Sequence, residues 1–305
     1  MMGREVFVLS AGAVSACGPD GEDLAESVSS SRSAIGEITA FDTPEDSPAL
    51  GAVLEDFEVS RYFPSIKTYV DRCTALALKA ALEALEELPP GAAERFPVGL
   101  VFGSRFACLE TVDLYASTGL KRGWRFAPPF LFIHSYANTP AAVVHIELKL
   151  KGYSNVFSGY EGAGAAALAD GFAAVSTGAA DLLLAGASEG LGPLRYAWHH
   201  AAGELGTFER PKEGSEPGEG AAMLLLASPE AAAGAEGALG KVRVEPRPPE
   251  GAAEVDVTAV TGRCAAAQIP LSAAAFLLSG AFDAGSEAAF PLGKGSGWLV
   301  IEKGV

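Results

Sequence analysis

One short segment of this chain has the residue pattern of a serine nucleophile. Residues 186–190, Gly-Ala-Ser-Glu-Gly, fit the G-x-S-x-G sequence that presents a catalytic serine on a sharp turn after a strand. A hydrolase of that kind needs an acid and then a histidine later in the chain. Only His199 and His200 follow Ser188, and Glu189 is the only acid between Ser188 and this pair. Such an order and spacing do not favour a serine hydrolase.

The cysteines and histidines show no pattern for metal or disulfide chemistry. The cysteines lie far apart without a C-x-x-C pair, and no histidine has zinc-like spacing with a cysteine. Ala11-Gly12-Ala13 lacks the G-x-G-x-x-G pattern of dinucleotide-binding loops. We therefore expect no metal, no cofactor and reduced thiols in a cytoplasmic protein. The cysteines are Cys17, Cys73, Cys108 and Cys264.

Charge and composition exclude two classes of partner. The chain has 305 residues, 49% of them hydrophobic, and a net charge of −16. Such an acidic protein repels phosphate backbones and anionic lipid, so we expect neither nucleic acid nor membrane as a partner. The N-terminal residues enter the apolar run 5–9 directly, which is too short for a signal peptide core or a membrane span.

Stretches of apolar residues alternate with helical patterns along the chain. Strands are predicted at 5–9, 98–102, 154–158, 181–185, 221–227, 241–245, 255–260 and 297–302. Helices are predicted at 21–31, 68–88, 108–118, 138–150, 162–177 and 265–280. The aromatic segment 124–132 is predicted to be an irregular, buried loop. The alternation indicates an α/β fold of layered helices and largely buried sheets.

Segments spread over most of the chain carry a family resemblance. They are 8–18 (VLSAGAVSACG), 31–36 (SRSAIG), 101–104 (VFGS), 138–152 with NTPAA and LKLKG, 185–189 (AGASE), and 208–221 with FER and GEGA. Their order and spacing resemble the β-ketoacyl synthases of the thiolase superfamily. The resemblance implies an α/β, thiolase-like fold with αβαβα layers and a truncated C-terminal half. It divides the chain into a ketosynthase-like half at 1–230, a linker at 231–253 and a shortened half at 254–305.

The residues at the family's catalytic positions are changed. These condensing enzymes use a cysteine at the N-terminus of a buried helix, where the helix dipole lowers the thiol pKa, together with two histidines and a lysine. The resemblance places Glu161, nine residues after Gly152, at the cysteine position. It places Arg263 at the second histidine position and Thr258 at the lysine position, and no histidine follows His200. It therefore implies that no catalytic residue is retained.

This loss resembles the chain length factor, the inactive partner of type II polyketide ketosynthases. Thr261-Gly262-Arg263 looks like a tripeptide of such subunits. Three features depart from that pattern. Those subunits usually carry glutamine at the position of Glu161, they are longer, and residues 293–297 replace the family's Gly-Phe-Gly-Gly loop.

Glu161 and Arg263 are expected to form an ion pair in the former catalytic pocket. In the family fold their positions face each other, and losing one partner of a buried pair costs about 3–5 kcal/mol. The simpler alternative is an acid at a helix start, which the helix dipole favours by roughly 0.3–1 kcal/mol.

The resemblance also implies pairing with an active ketosynthase subunit. Strand 154–158 corresponds to the strand that meets its mate across the dimer axis, and segment 124–136 to the loop that reaches the partner's acyl tunnel. A basic cluster, Lys121, Arg122 and Arg125, makes an acyl carrier protein a further candidate partner, although a solvated surface is the simpler interpretation. The implied interface and tunnel residues are Phe126, Phe130, Phe132, Tyr136, Asn138, Asn155 and Phe157.

Three other functions remain open on the same fold. One is decarboxylation of malonyl units, for which the charge of Glu161 is unfavourable beside a developing carbanion. Another is acyl transfer by Cys108 or Cys264, although no histidine near Cys264 is available to deprotonate it. The last is a purely structural subunit without a role in the tunnel.

Overall fold

A computed structural model of the chain describes residues 3–66, 69–88, 91–207, 209–212, 214–233, 237–293 and 296–304. Residue 68 of the predicted helix 68–88, Phe208 of the family motif, residues 234–236 of the predicted linker, and residues 294–295 of the replaced loop lie outside the described residues.

Most strands of the described chain belong to one large mixed sheet. The strands are β1 (Val6–Ser15), β2 (Gly36–Glu37), β3 (Leu50–Gly51), β4 (Gly99–Ser104), β5 (Ser154–Ser158), β6 (Leu182–Glu189), β7 (Gly206–Thr207), β8 (Arg210–Pro211), β9 (Gly220–Ala227), β10 (Gly240–Glu245), β11 (Glu287–Pro291) and β12 (Trp298–Lys303). The large sheet has eight strands in the order β11-β12-β10-β1-β9-β6-β4-β5. Its neighbours β4, β5 and β6 are parallel, and all other adjacent pairs are antiparallel.

Helices cover both faces of this sheet. They are α1 (Gly21–Ser29), α2 (Arg72–Glu86), α3 (Ala92–Arg95), α4 (Leu109–Arg122), α5 (Pro129–Ile133), α6 (Thr139–Glu147), α7 (Ala163–Thr177), α8 (Pro193–Ala201), α9 (Pro229–Ala232), α10 (Thr258–Thr261) and α11 (Gln268–Leu278). Helices α2 and α6 pack on one face, and α7 and α11 on the other. Helix α11 contacts β9 and β1 and also β11 and β12.

The buried strands form where the sequence is continuously apolar. Every residue of β4, β6 and β9 is buried, as expected for central strands covered on both faces. Alternate residues serve the two cores: Leu183 and Leu224 pack with α7 and α11, whereas Leu184 and Met223 pack with α2 and α6. Small residues in β6 and α7 allow close approach. A side chain at Gly171 of α7 would meet the Ala185 side chain of β6.

The structure corrects two of the predicted elements. Residues 255–260 form no strand. The Asp256 carboxylate accepts hydrogen bonds from the Thr258 amide at 2.9 Å and the Thr258 hydroxyl at 2.6 Å, and α10 begins there. Segment 124–132 is neither irregular nor buried, because it forms a 3₁₀ turn at Trp124–Phe126 followed by α5, with most of its aromatic side chains exposed.

Several elements of the described chain were not predicted, and one strand lies where a linker was expected. The prediction missed α8, which begins at Pro193, and β11. Strand β10 falls inside the predicted linker 231–253 and pairs with both β1 and β12, so that segment joins the two halves through a strand of the sheet. The division of the chain at 231–253 stays a prediction.

A buried carboxylate at the start of β9 ties three separate segments together. The Glu219 side chain is fully buried and accepts hydrogen bonds from the amides of Leu54 at 2.8 Å and Leu191 at 3.1 Å. The Arg72 guanidinium at the start of α2 supplies the compensating charge, with Nη2 2.6 Å from Oε1 and Nε 3.1 Å from Oε2.

We expect Arg72→Met to lower the free energy of unfolding by about 3–5 kcal/mol, because it leaves the Glu219 charge buried without a partner. Arg243→Met is the matched control, since Arg243 pairs with Glu287 at 2.8 Å at a partly exposed site, and it should cost no more than about 1 kcal/mol. Urea denaturation of both variants measures the difference. Equal losses would show that the Glu219 contacts do not hold these segments together.

Candidate functional site

Glu161 lies in the turn between strand β5 and helix α7. Gly159 begins the turn with a φ of +89°, a conformation that favours glycine, and α7 starts two residues after Glu161 at Ala163. The side chain is therefore held beside the amino end of a 15-residue helix, where a negative charge is favoured.

Two arginines flank the Glu161 carboxylate. Arg263 Nη2 lies 3.3 Å from Oε1, and Arg105 Nη1 lies 3.6 Å from Oε2. Arg105 itself is held by the aromatic rings of Phe106 and Trp198, each with its centroid 4.9 Å from the guanidinium carbon. The two guanidinium groups thus fix the position of an acid that stands where the family resemblance places the nucleophile.

The expected contact between Glu161 and Arg263 is present, but the pair is not buried. The Glu161 side chain is 57% exposed and the Arg263 side chain is 37% exposed. Water screens such a pair, so its contribution to stability falls to about 0–1 kcal/mol. The sequence prediction of a buried pair was therefore wrong.

The ion-pair network continues from Arg263 to a histidine. Arg263 Nη1 lies 4.0 Å from Glu204 Oε2, and the same oxygen lies 2.8 Å from His199 Nδ1. Burial lowers the pKa of His199, and the contact with His199 lowers the pKa of Glu204. Glu204 therefore carries its charge at neutral pH and shares it between the imidazole and Arg263.

A cavity of about 400 Å³ lies beside Glu161. Of the four positions at which the resemblance predicts a lost catalytic residue, it brings together the three that were assigned to a residue, Glu161, Thr258 and Arg263. Its lining also includes Glu254, Val255, Asp256, Ala265, Gln268, Ile269, Ser272, Ala289, Phe290, Pro291 and Trp298. Among the described residues of this lining there is no cysteine, histidine or lysine, and three carboxylates face a single guanidinium.

The other candidate nucleophiles are enclosed in the core. Cys264 and Cys108 are buried, and desolvation raises the pKa of each thiol to about 12, so both stay protonated at neutral pH. The Ser188 hydroxyl is fully buried and donates a hydrogen bond to the Cys73 carbonyl oxygen at 2.7 Å. Ser188 is thus part of the packing between β6 and α2, as expected from the weak case for a hydrolase.

The predicted interface residues lie away from this cavity on the outer surface. Phe126, Phe130, Phe132 and Tyr136 are about half exposed, and Asn138 is exposed. Asn155 and Phe157 are half-buried on β5, which is an outermost strand of the sheet. Their role in an interface or a tunnel stays a prediction.

Sequence reasoning missed the residues that surround Glu161 on its other side. Arg105, Glu204 and His199 have no motif of their own, and only folding brings them together. Arg105 is positioned by the fully buried Glu189, whose carboxylate accepts hydrogen bonds from the backbone amides of Arg105 and Phe106. Burial raises the pKa of Glu189, and these amides oppose that shift. The sequence signal that could have indicated these contacts is Glu189, an acid at the end of the apolar strand β6.

The comparison with known families identifies the class of this protein. Residues 3–232 match the β-ketoacyl synthase N-terminal domain, which is most of the chain. The chain therefore belongs to the β-ketoacyl synthase family, and the predicted thiolase-like α/β fold is confirmed.

Individual relatives are distant. The chain is 26% identical to the 3-oxoacyl-(acyl-carrier-protein) synthase 2 of Staphylococcus aureus (strain COL) over 245 residues, 75% of this chain and 59% of that enzyme. It thus spans less than two thirds of that relative. The ishigamide ketosynthase/chain length factor superposes with a TM-score of 0.76 and 18% identity, covering 99% of this chain and 100% of that one. A type II polyketide synthase acyl-carrier protein complex with its ketosynthase gives 0.74 and 17%, covering 100% of both chains. These structural likenesses show the fold.

Two other kinds of feature are absent from the described residues. None of the described helices has the length and apolar character needed to cross a membrane. Within the same residues, no group of three or more histidine, cysteine, aspartate or glutamate side chains has an arrangement that could hold a metal ion.

Glu161→Ala should change the free energy of unfolding by no more than about 1 kcal/mol, because the pair it breaks is exposed to water. Thermal unfolding measures this, and Glu161→Gln, which keeps the size and removes the charge, is the matched control. A loss of several kcal/mol for Glu161→Ala would contradict the exposed position of the pair.

Proposed function

We propose that this chain is a catalytically inactive ketosynthase-like subunit of the chain length factor type. It pairs with an active ketosynthase in type II polyketide or fatty-acid-like biosynthesis and shapes the acyl tunnel of that partner. The observation that carries the proposal is the cavity that Glu161, Thr258 and Arg263 line together, the three residues that the family resemblance assigns to catalytic positions. Its support from the comparisons is a common fold with ketosynthases and a ketosynthase/chain length factor.

The chemistry of this cavity does not suit carbon–carbon bond formation. Condensation needs a thiolate to hold the acyl group and an imidazole or ammonium group to stabilise the enolate. Glu161 supplies a carboxylate that two arginines already engage, and the nearby Cys264 thiol has its pKa raised to about 12. His199 is buried behind Glu204 rather than in the cavity lining.

The electrostatics of the cavity also disfavour decarboxylation. A malonyl group carries a carboxylate, and the arm of a carrier protein carries a phosphate. Glu254 and Asp256 line the cavity in addition to Glu161, and Arg263 is engaged by Glu161 and Glu204. Like charges at such short range raise the free energy of binding for both substrate groups. The same carboxylates oppose the carbanion that decarboxylation would form.

The free edge of β5 supports pairing with another subunit. On the described chain β5 is bonded only to β4, so its other side offers unpaired backbone groups. The Val156 amide bonds to the adjacent Asn155 side chain at 2.9 Å instead of to β4. The Asn155 side chain thus accepts the hydrogen bond of the Val156 amide within one subunit. In a complex, a strand of the neighbouring subunit could accept that hydrogen bond instead.

A row of aromatic side chains supports the tunnel role. Ring centroids are separated by 6.1 Å for Trp124 and Tyr115, 5.7 Å for Tyr115 and Phe132, and 5.2 Å for Phe132 and Tyr136. Mutual packing fixes the rings in place although their outer faces are exposed. Such a rigid apolar surface can close the end of a tunnel in a partner and limit the length of the acyl chain.

The first test is the absence of acyl transfer. The purified chain is incubated with acyl and malonyl carrier proteins and then analysed by intact mass and carbon dioxide release. We expect no acyl adduct and no carbon dioxide. Glu161→Cys should gain one iodoacetamide adduct at the exposed position yet form no ketoacyl product, because no imidazole faces the cavity. A covalent acyl adduct on the unaltered chain would disprove inactivity, and carbon dioxide release would favour the decarboxylase.

The second test is pairing at the exposed face. We expect the chain, co-expressed with each ketosynthase of its source organism, to copurify with one of them at equal stoichiometry by native mass spectrometry. Phe130→Glu should abolish the complex, because it places a charge in an apolar interface. Val244→Glu on β10 is the control, since Val244 is also exposed but lies at a different part of the sheet. Loss of the complex in both variants, or in neither, would contradict this interface.

A further inference from the structure

The charge of this chain is distributed unevenly between one region and the rest. Residues 109–158, which contain α4, α5, α6 and β5, hold five cationic and three acidic side chains, a balance of +2. The other residues together carry −18 and so account for the net charge of −16. We call the exposed surface of residues 109–158 the α4–β5 face. Its cations are Lys121, Arg122, Arg125, Lys149 and Lys151, and its acids are Glu110, Asp113 and Glu147.

The cations of this face are available, whereas its acids are mostly engaged. All five cations are exposed, and within the described parts of the chain none of them forms an ion pair. Glu110 accepts a hydrogen bond from the Arg195 amide at 3.3 Å, and Glu147 accepts one from the Ser65 hydroxyl at 2.6 Å. Elsewhere, Arg4 and Arg243 are paired with carboxylates at 2.8 Å.

The same face exposes most of the large apolar side chains on the described surface. Leu120 is 76% exposed and Trp124 is 60% exposed, next to the basic residues at the end of α4. The Arg125 guanidinium lies 4.5 Å from the centre of the Phe126 ring. Aromatic and arginine side chains are enriched in the cores of protein interfaces. Apolar area and unpaired cations therefore lie side by side at the end of α4, within the stretch of chain that leads to the free strand β5.

We infer that the α4–β5 face selects its partner by charge: it fits a different subunit whose matching face is apolar and acidic, and it disfavours a second copy of this chain. The inference rests on the proposed function, which supplies pairing at this face. In a two-fold pair of identical chains the same surface meets itself, so two sets of unpaired cations would be brought together. A matching acidic face instead gives each cation a partner and speeds association.

The test uses charge reversal on this chain itself. In the variant Lys121→Glu, Arg122→Glu, Arg125→Glu, the face becomes acidic while its apolar residues are unchanged. The isotope-labelled variant is mixed with the wild-type chain, and dimers are counted by native mass spectrometry and sedimentation velocity at about 0.05 M and about 0.5 M salt. We expect the mixed pair to form at least about tenfold more tightly than either self-pair at low salt. This preference should fade at high salt, where charges are screened.

A matched control separates this effect from net charge. Arg61→Glu, Arg95→Glu, Arg247→Glu makes the same change in charge at three exposed arginines outside residues 109–158. It should show no preference for the wild-type chain. Three results would overturn charge selection. The control variant could form a mixed pair with the wild-type chain as readily as the α4–β5 variant does, or the α4–β5 variant could form no mixed pair. The wild-type self-pair could also weaken as the salt concentration increases.

A parallel arm distinguishes this inference from the proposed function. The wild-type chain and the α4–β5 variant are each co-expressed with the ketosynthases of the source organism. Binding of a ketosynthase by both chains alike would leave the proposed pairing intact and overturn charge selection. A mixed pair in the first arm, with no ketosynthase bound here, would support charge selection by the face and contradict the proposed function.

Discussion

Two buried carboxylates, at adjacent ends of two central strands of the sheet, position the two arginines that contact Glu161. Glu189 ends β6 and Glu219 immediately precedes β9, and these strands are neighbours that pair Glu189 with Gly220. Glu189 holds the backbone of Arg105 through two amide hydrogen bonds. Glu219 holds the loop before β9, and this loop binds Arg263 through the Gly218 amide at 3.1 Å and the Glu216 carbonyl at 2.8 Å. Both arginines that reach Glu161 thus depend on a buried acid.

The acids whose burial costs free energy, Glu189 and Glu219, are therefore distinct from the exposed groups that line the cavity. Charges removed from water must be compensated: Glu219 bonds to both arginine and amide partners, and Glu189 has two amide partners and the nearby charge of Arg195. The pair made by Glu161 and Arg263 lies in water and contributes little to stability. Residues such as Glu161, at positions that the family resemblance assigns to catalysis, can therefore change without loss of the fold, provided that the two buried acids are kept. Such independence is compatible with the proposed inactive subunit.

The sequence predicted the central elements well because their signals are local. Continuous apolar runs indicated β4, β6 and β9, and helical periodicity indicated α2. The proximity of Glu161 and Arg263 came from the family resemblance, since 102 positions separate them in the chain. The predicted burial was wrong for two features, the pair of Glu161 and Arg263 and the aromatic segment 124–132. A run such as 124–132 is equally apolar whether it meets its own core or another protein, and nothing local distinguishes the two.

The α4–β5 face differs in electrostatic sign from the cavity and from the rest of the chain. With a net charge of −16, acidic groups are distributed over most of the surface, and three carboxylates line the cavity. The α4–β5 face has a positive charge balance, whereas the rest of the chain is strongly acidic. Its unpaired cations therefore lie in the field of a distant acidic background. Since that field also draws in cationic partners elsewhere, only an acidic partner is directed specifically to the α4–β5 face. The apolar rings beside the cations then remove water from the contact, which strengthens every ion pair formed there.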